Sequence, residues 1–339
     1  MGAPMQSWQP DDLLADRYQI NQIMRRSATA YLYRVSDVFR QSEELLMGPG
    51  RRLLQHPAGT DWFEQYCKEV LGIPAHRNIL APTRLDHHDG IPFLILPHID
   101  GQFWDEAIKE GDMTHLGMML DVSAQVARGV GWLHEHGQVH YNVKPANVLI
   151  TDSGAAKVLK YGEAGAVSRV YASPEQLEGE ALLTRATDVW SWATSVLHMF
   201  VGRVVWRSGL KAPAILQRYI QTGPARPGVP LMPGRLAKVL AECFRREPAE
   251  RPAKMDDVAG QVQQLGESVS EGEDAGPAEP EEVFGEELAA DWDILESMAE
   301  PETGAEQPWE EQPADEDEEE EAREERSRAD TRRWRFRST

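Results

Sequence analysis

The chain has 339 residues, 41% of them hydrophobic, and a formal net charge of −21. That length holds one well-buried domain of about 250 residues plus additional chain. The charge is concentrated: residues 271–330 carry 26 acidic and 3 basic side chains, and such a segment repels nucleic-acid phosphates and anionic membranes, which argues against both as partners.

Met1 to Asp16 reads as a polar, flexible N-terminal arm without the basic-then-apolar pattern of a leader. Short alternating apolar runs from Tyr18 to Tyr33 predict strands, and Ala58–Leu71 predicts a helix with Trp62, Phe63, Tyr66 and Val70 on one face. Ile91 to Ile99 predicts a strand whose regular pairing stops at Pro97. His87-His88-Asp89-Gly90 reads as a surface hairpin turn rather than as metal ligands, and His98 adds no ligand pattern. After Gly101 helical periodicity takes over: Thr114–His136, a nearly all-apolar Ser191–Phe200, Pro213–Tyr219, Gly234–Phe244 and Met255–Leu265. Strands first and helices second make an α+β layout in two parts, residues 17–100 and 101–266.

Residues 267–339 are rich in Glu, Pro, Gly and Ala and bury too little apolar surface to offset their ordering entropy, so they read as an acidic, largely disordered tail. Val283, Phe284, Leu288, Trp292, Ile294, Leu295 and Met298 interrupt it at helical spacing, which predicts a short helix over 282–300. Cys67 and Cys243 are too few for a disulfide framework or a clustered zinc site. No run of eighteen apolar residues exists, so no membrane span and a cytoplasmic location are expected.

The stretch His140-Tyr141-Asn142-Val143-Lys144-Pro145-Ala146-Asn147-Val148-Leu149-Ile150 resembles the catalytic loop of a protein kinase, with an amide where the catalytic carboxylate stands. Three further segments follow in the order of that family. Tyr171-Ala172-Ser173-Pro174-Glu175-Gln176 resembles its Ala-Pro-Glu segment, and Asp188-Val189-Trp190 the start of its central helix. Pro248-Ala249-Glu250-Arg251-Pro252 resembles its closing arginine station. Residues 18–265 therefore resemble a bacterial-type serine/threonine protein kinase domain. The resemblance implies a two-lobed fold, with a small strand-rich N-lobe and a larger helical C-lobe.

Phosphoryl transfer needs a phosphate cradle, a cation on the phosphates, a carboxylate for the metal and a carboxylate for the acceptor hydroxyl. At the cradle, Met24, Arg26 and Thr29 stand where the family has glycines; Arg25 and Arg26 either attract an anion or form a solvated basic turn. Gly48 takes the place of the strand lysine, with Arg51 and Arg52 just beyond it, and Glu64 and Glu69 flank the expected helical glutamate. Lys157-Val158-Leu159-Lys160-Tyr161-Gly162 matches the metal station with Lys160 in place of the aspartate; an ammonium repels a divalent cation but attracts phosphate. Asn142 replaces the catalytic aspartate, while Lys144 and Asn147 remain as in the family. The activation segment is short, and Ser168 is the only hydroxyl in Glu163–Val170.

The stations that the resemblance makes structural survive. Glu175 and Arg251 match a buried ion pair, Asp188 a cap and anchor of the central helix, and His140 a support for the loop backbone. These losses imply a pseudokinase, not an enzyme, that regulates or scaffolds another protein of bacterial signalling: a signalling kinase, a phosphatase or their target. No cofactor is expected, magnesium included, and ATP is left open, with Arg26, Lys144 and Lys160 as the candidate nucleotide contacts. Two alternatives stand beside this: a divergent, metal-independent nucleotide-binding enzyme or weak kinase, and a protein that works through its acidic tail.

Overall fold

Alternation of apolar side chains builds the first lobe on two faces of one sheet. In the computed structural model, which describes residues 7–159, 168–179, 183–272 and 276, strands β1 (Leu13–Leu14), β2 (Tyr18–Arg26), β3 (Ala30–Asp37), β4 (Ser42–Pro49), β5 (Arg84–His88) and β6 (Ile91–Pro97) form an antiparallel sheet in the order β1-β2-β3-β4-β6-β5. One face carries Ala30, Leu32, Leu45, Met47, Leu94 and Leu96 and packs on helix α2 (Gly59–Leu71) through Phe63, Tyr66, Cys67 and Val70. The opposite face carries Tyr18, Ile20, Tyr33, Val35, Leu46, Phe93 and Ile95. Strand period decides this division, because successive side chains point to opposite faces. The β5–β6 turn bears out the hairpin reading: Asp89 and Gly90 both have positive φ, 49° and 79°.

The segment read as an arm is part of this lobe from Trp8 onward. Trp8 is buried, 5.9 Å from Tyr33 and edge-on to Phe93 at 5.7 Å between ring centroids. The Asp11 amide donates to the Ile20 carbonyl and the Ile20 amide to Asp12. Among the described residues no helix packs on the outer face of the sheet, and the Trp8 indole covers it. Composition does not reveal this, because one aromatic side chain among polar neighbours carries no periodicity.

A short helix α1 (Arg51–Leu54) links β4 to α2. Beyond the crossing at His98–Asp100, β7 (Gly101–Phe103), β8 (Val148–Thr151) and β9 (Ala156–Val158) make a small sheet. The remaining described elements are helices: α3 (Trp104–Glu110), α4 (Leu116–Glu135), α5 (Pro174–Glu178), α6 (Arg185–Val201), α7 (Ala212–Thr222), α8 (Gly234–Cys243) and α9 (Met255–Ser270). Every residue of α6 from Thr187 to Val201 is buried, as its unbroken apolar pattern predicts. Thr184 caps α6, its hydroxyl accepting from the Ala186 amide. The expectation that Asp188 is the cap is corrected: it sits one turn inside the helix, and its carboxylate is spent on another segment. The predicted helix at 282–300, the rest of the tail and Lys160 lie outside the described residues.

Glu175 and Arg251 form the expected buried pair, Nη1 to Oε1 at 2.7 Å and Nη2 to Oε2 at 2.9 Å. Thr187 donates to the same carboxylate, and Arg251 also donates to the carbonyls of Arg245, Ala186 and Arg246. Burial pushes the Glu175 carboxyl up, but the hydrogen bonds and charge of Arg251 outweigh it and hold the group below the ordinary glutamate value. His198 is buried beside Tyr171, whose hydroxyl lies 2.9 Å from Nδ1, and burial lowers the histidine to about 4.

Two outcomes follow. Arg251→Met leaves a buried carboxylate uncompensated and is expected to cost about 3–5 kcal/mol in urea denaturation. His198 is neutral when folded, and the unfolded chain takes up its proton near the ordinary value of 6.5. Its contribution to stability is therefore present above pH 6.5 and is lost as the pH falls toward 4, in all about 3 kcal/mol. Denaturation midpoints over pH 4–7 for wild type and His198→Phe are expected to show a flatter dependence in the variant.

Candidate active site in the cleft between the lobes

The loop expected to carry the chemistry hangs from one carboxylate. Asp188, fully buried in α6, accepts from His134 Nε2 at 2.8 Å, from the His140 amide at 2.7 Å and from the Tyr141 amide at 2.8 Å. His140 reaches the next strand: its ring nitrogen Nε2 lies 2.8 Å from the Leu159 carbonyl, and Nδ1 accepts from the Asn142 amide at 3.2 Å. Through these two contacts the His140 ring joins the loop to the end of β9. Tyr141 adopts φ 66°, unusual for a residue with a Cβ. Its amide is held by Asp188, and its carbonyl accepts from Gln176 Nε2 at 2.8 Å, so the surroundings enforce the turn.

Asn142 lies within this frame, buried to 8% exposure. Its carbonyl accepts from the Asn147 amide nitrogen at 2.7 Å, and the Asn147 carbonyl accepts from Leu159 N. Asn147 thus ties the loop to the end of β9, the architectural role inferred for it from its side-chain hydrogen-bonding capacity. Lys144 Nζ is 3.4 Å from the Ser168 hydroxyl, so the loop lysine and the activation-segment serine are brought together.

The upper side of the cleft differs from the sequence expectation at Gly48. Gly48 is not the inward position of β4: a Cβ there would lie 2.4 Å from the Trp8 ring, on the outer face. The inward residues are Leu45 and Met47, and pairing with Ala30 gives Pro49 the same parity. A register shift of one residue reverses the face, which is why sequence alone misplaced it. Glu64 and Glu69 also stay outside: Glu64 pairs with Lys68 at 2.7 Å and faces His87, and Glu69 accepts from Gln65. The buried side of α2 is Phe63, Tyr66, Cys67 and Val70.

The turn that stands at the phosphate cradle is a tight hairpin closed by Ser27, whose hydroxyl contacts both the amide and the carbonyl of Ala30. The amides of Gly50 and Arg52 donate to the carbonyls of Thr29 and Ala28, tying the turn to the start of α1. Any side chain at position 50 would meet the Ala28 carbonyl at 2.6 Å. Arg26 ends β2 in an exposed position. Its neighbour Arg25, for which the sequence offered only an anion or solvent, instead reaches Asp105 and Glu106 in α3. Arg25 and Asp105 are eighty residues apart, a separation at which no sequence pattern links them.

Comparison with known proteins fits this geometry. The protein kinase domain model matches residues 65–263, and the chain belongs to that family. Serine/threonine-protein kinase PrkC of Bacillus subtilis is 22% identical over 268 residues, covering 74% of this chain and 40% of the relative. Serine/threonine-protein kinase drp72 of Corynebacterium efficiens is 29% identical over 184 residues, half of this chain and 35% of that protein. The chain spans about two fifths of the length of the curated relatives it matches. Among solved structures, the PknI kinase domain of Mycobacterium tuberculosis superposes with a TM-score of 0.58 at 22% identity, covering 76% of this chain and 98% of that one. The fold is therefore a protein kinase fold with a strand-rich N-lobe and a helical C-lobe.

These findings correct one expectation. The reading that the chain is not an enzyme rested on the joint loss of the cradle glycines, the strand lysine, the metal carboxylate and the catalytic carboxylate, yet the matched relatives are named as kinases, which are enzymes. The physical reason is that an amide in an otherwise intact loop removes a proton acceptor; it does not remove the loop's remaining hydrogen bonds or Lys144.

Asp188→Asn is expected to destabilise the domain by about 3 kcal/mol, because an amide cannot accept from all three donors and turns its own N–H groups toward one of them. Hydrogen exchange should rise first at residues 138–148.

Proposed function

We propose that this chain is a signalling member of the bacterial serine/threonine kinase group in which phosphoryl transfer is impaired and slow. Its principal output in this reading is regulation of another protein, bound through the folded C-lobe: a signalling kinase, a phosphatase or their target. The observation that carries the reading is Asn142, buried in a loop whose other hydrogen bonds are intact. The near-isosteric amide keeps the turn and can orient a hydroxyl, but it takes up a proton poorly, and a positioned base contributes about 10²–10⁴-fold.

The cleft residues support the same reading. The family's metal–nucleotide arrangement uses a strand lysine paired with a helical glutamate and a carboxylate at the metal station. Inward positions of β4 hold Leu45 and Met47, the inward side of α2 holds no carboxylate, and the sequence has Lys160 at the metal station. This donor set does not fit magnesium in the family's manner, so no step is assigned to a metal. In this reading Lys144, 3.4 Å from Ser168, is the cation of the loop, and the sequence places Lys160 at the metal station.

Transfer of labelled phosphate to a generic basic protein, compared with the PrkC kinase domain under the same conditions, tests the proposal. The expected result is a rate at least about 10²-fold below the relative. Asn142→Ala should change the residual rate little. A loss of about 10²-fold or more in that variant, the size expected from removing a working base, would overturn the reading.

A further inference from the structure

The contact between Arg25 and α3 carries a consequence for access to the cleft. Arg25 is in β2 of the N-lobe, one residue before its end and next to the turn at 27–29. Asp105 and Glu106 are in the first turn of α3, in the C-lobe. The guanidinium grips Asp105 with both terminal nitrogens, Nη2 to Oδ1 at 2.6 Å and Nη1 to Oδ2 at 3.1 Å, and Nη2 also lies 3.0 Å from Glu106 Oε1. Its carbon is 4.1 Å from the centroid of the Phe103 ring. Nε is buried without a partner among the described residues.

A single exposed ion pair contributes little, because both side chains are solvated when apart. This contact differs in geometry. The fork is bidentate, a second carboxylate shares it, and an aromatic face covers the cation, so the two side chains directly paired are only 21% and 28% exposed. Its position also matters. Among the described residues the chain passes from the first lobe to the second at His98–Asp100, and Phe103–Glu106 follow shortly after. The Phe103 amide donates to Glu106, so the acidic end of α3 is held against the crossing. A bond from β2 to that point joins the two lobes beside the crossing and restrains their rotation about it.

We propose that Arg25, Asp105 and Glu106 form an ionic latch that holds the two lobes closed, so that a ligand enters the cleft only after the latch releases. The proposal stands on these contacts and does not depend on how fast the site transfers phosphate. A device of this kind opens when the guanidinium is screened or drawn to another anion, because the same nitrogens that grip Asp105 would grip a phosphate.

Hydrogen exchange of the full chain tests it, using wild type, Arg25→Ala and the double variant Asp105→Asn/Glu106→Gln, which keeps an acceptor for the Phe103 amide. Peptides covering 20–35 and 97–108 are expected to exchange about tenfold faster in both variants, with α6 peptides unchanged. Arg25→Lys, which keeps the charge and loses the fork, should fall between. Raising the salt concentration to about 0.5 M should accelerate these peptides in wild type and leave Arg25→Ala unaffected. Exchange equal to wild type in both variants would overturn the latch. So would a rise spread equally over α6, since that is global opening and not release of the lobes.

Discussion

A single buried carboxylate organises the catalytic loop. Asp188 is fully buried, and it is stable in the interior because three donors converge on it from α4 and from the loop. Through the His140 and Tyr141 amides it sets the backbone from which Asn142, Lys144 and Asn147 project. Through His140 the same restraint reaches Leu159 at the end of β9, immediately before the metal station. The loop is therefore determined by the central helix of the C-lobe, and its shape does not depend on the acid–base character of residue 142.

That separation explains how the chain keeps the fold of a kinase with an amide at position 142. In the C-lobe the charged groups that survive have structural partners: Glu175 with Arg251 and Thr187, and Asp188 with His134. Removing either member of the Glu175–Arg251 pair leaves a buried charge without its counterpart. In the N-lobe the inward face is apolar, from Leu32 through Met47 to Phe63 and Tyr66, and it packs into the same continuous core as Leu149 and Val158. Charge has instead moved to the periphery, where Arg25 bridges the lobes and Arg17 and Arg84 surround Asp37. Hydrogen bonds from Arg17 first, then backbone amides and the arginine charge, outweigh burial and draw the Asp37 carboxyl down to about 2.

Much of this was legible in the residues themselves. The apolar run of α6, the helix of α2, the period-two strands and the Asp89-Gly90 turn all follow from local pattern and are found where that pattern puts them. The loop residues Asn142, Lys144 and Asn147 were placed correctly because the segment is contiguous and each element around it has a strong period. The errors share a cause. Gly48 lies on the outer face of β4 and not at the inward position its place in the sequence suggests, and Trp8 belongs to the lobe and not to an arm. Each depends on which side of an element meets which neighbour, and a shift of a single position reverses that.

The sequence by itself determined the elements, their order, the family and the substitutions at residues 142 and 160, because periodicity and contiguous motifs are local properties of the chain. Only the tertiary structure decided that Trp8 closes the outer face of the sheet, that the inward positions of β4 carry no cation and that Arg25 joins β2 to α3. Those outcomes depend on side chains brought together across as many as eighty residues. Burial and charge pairing select such contacts from the assembled fold, and linear spacing does not encode them.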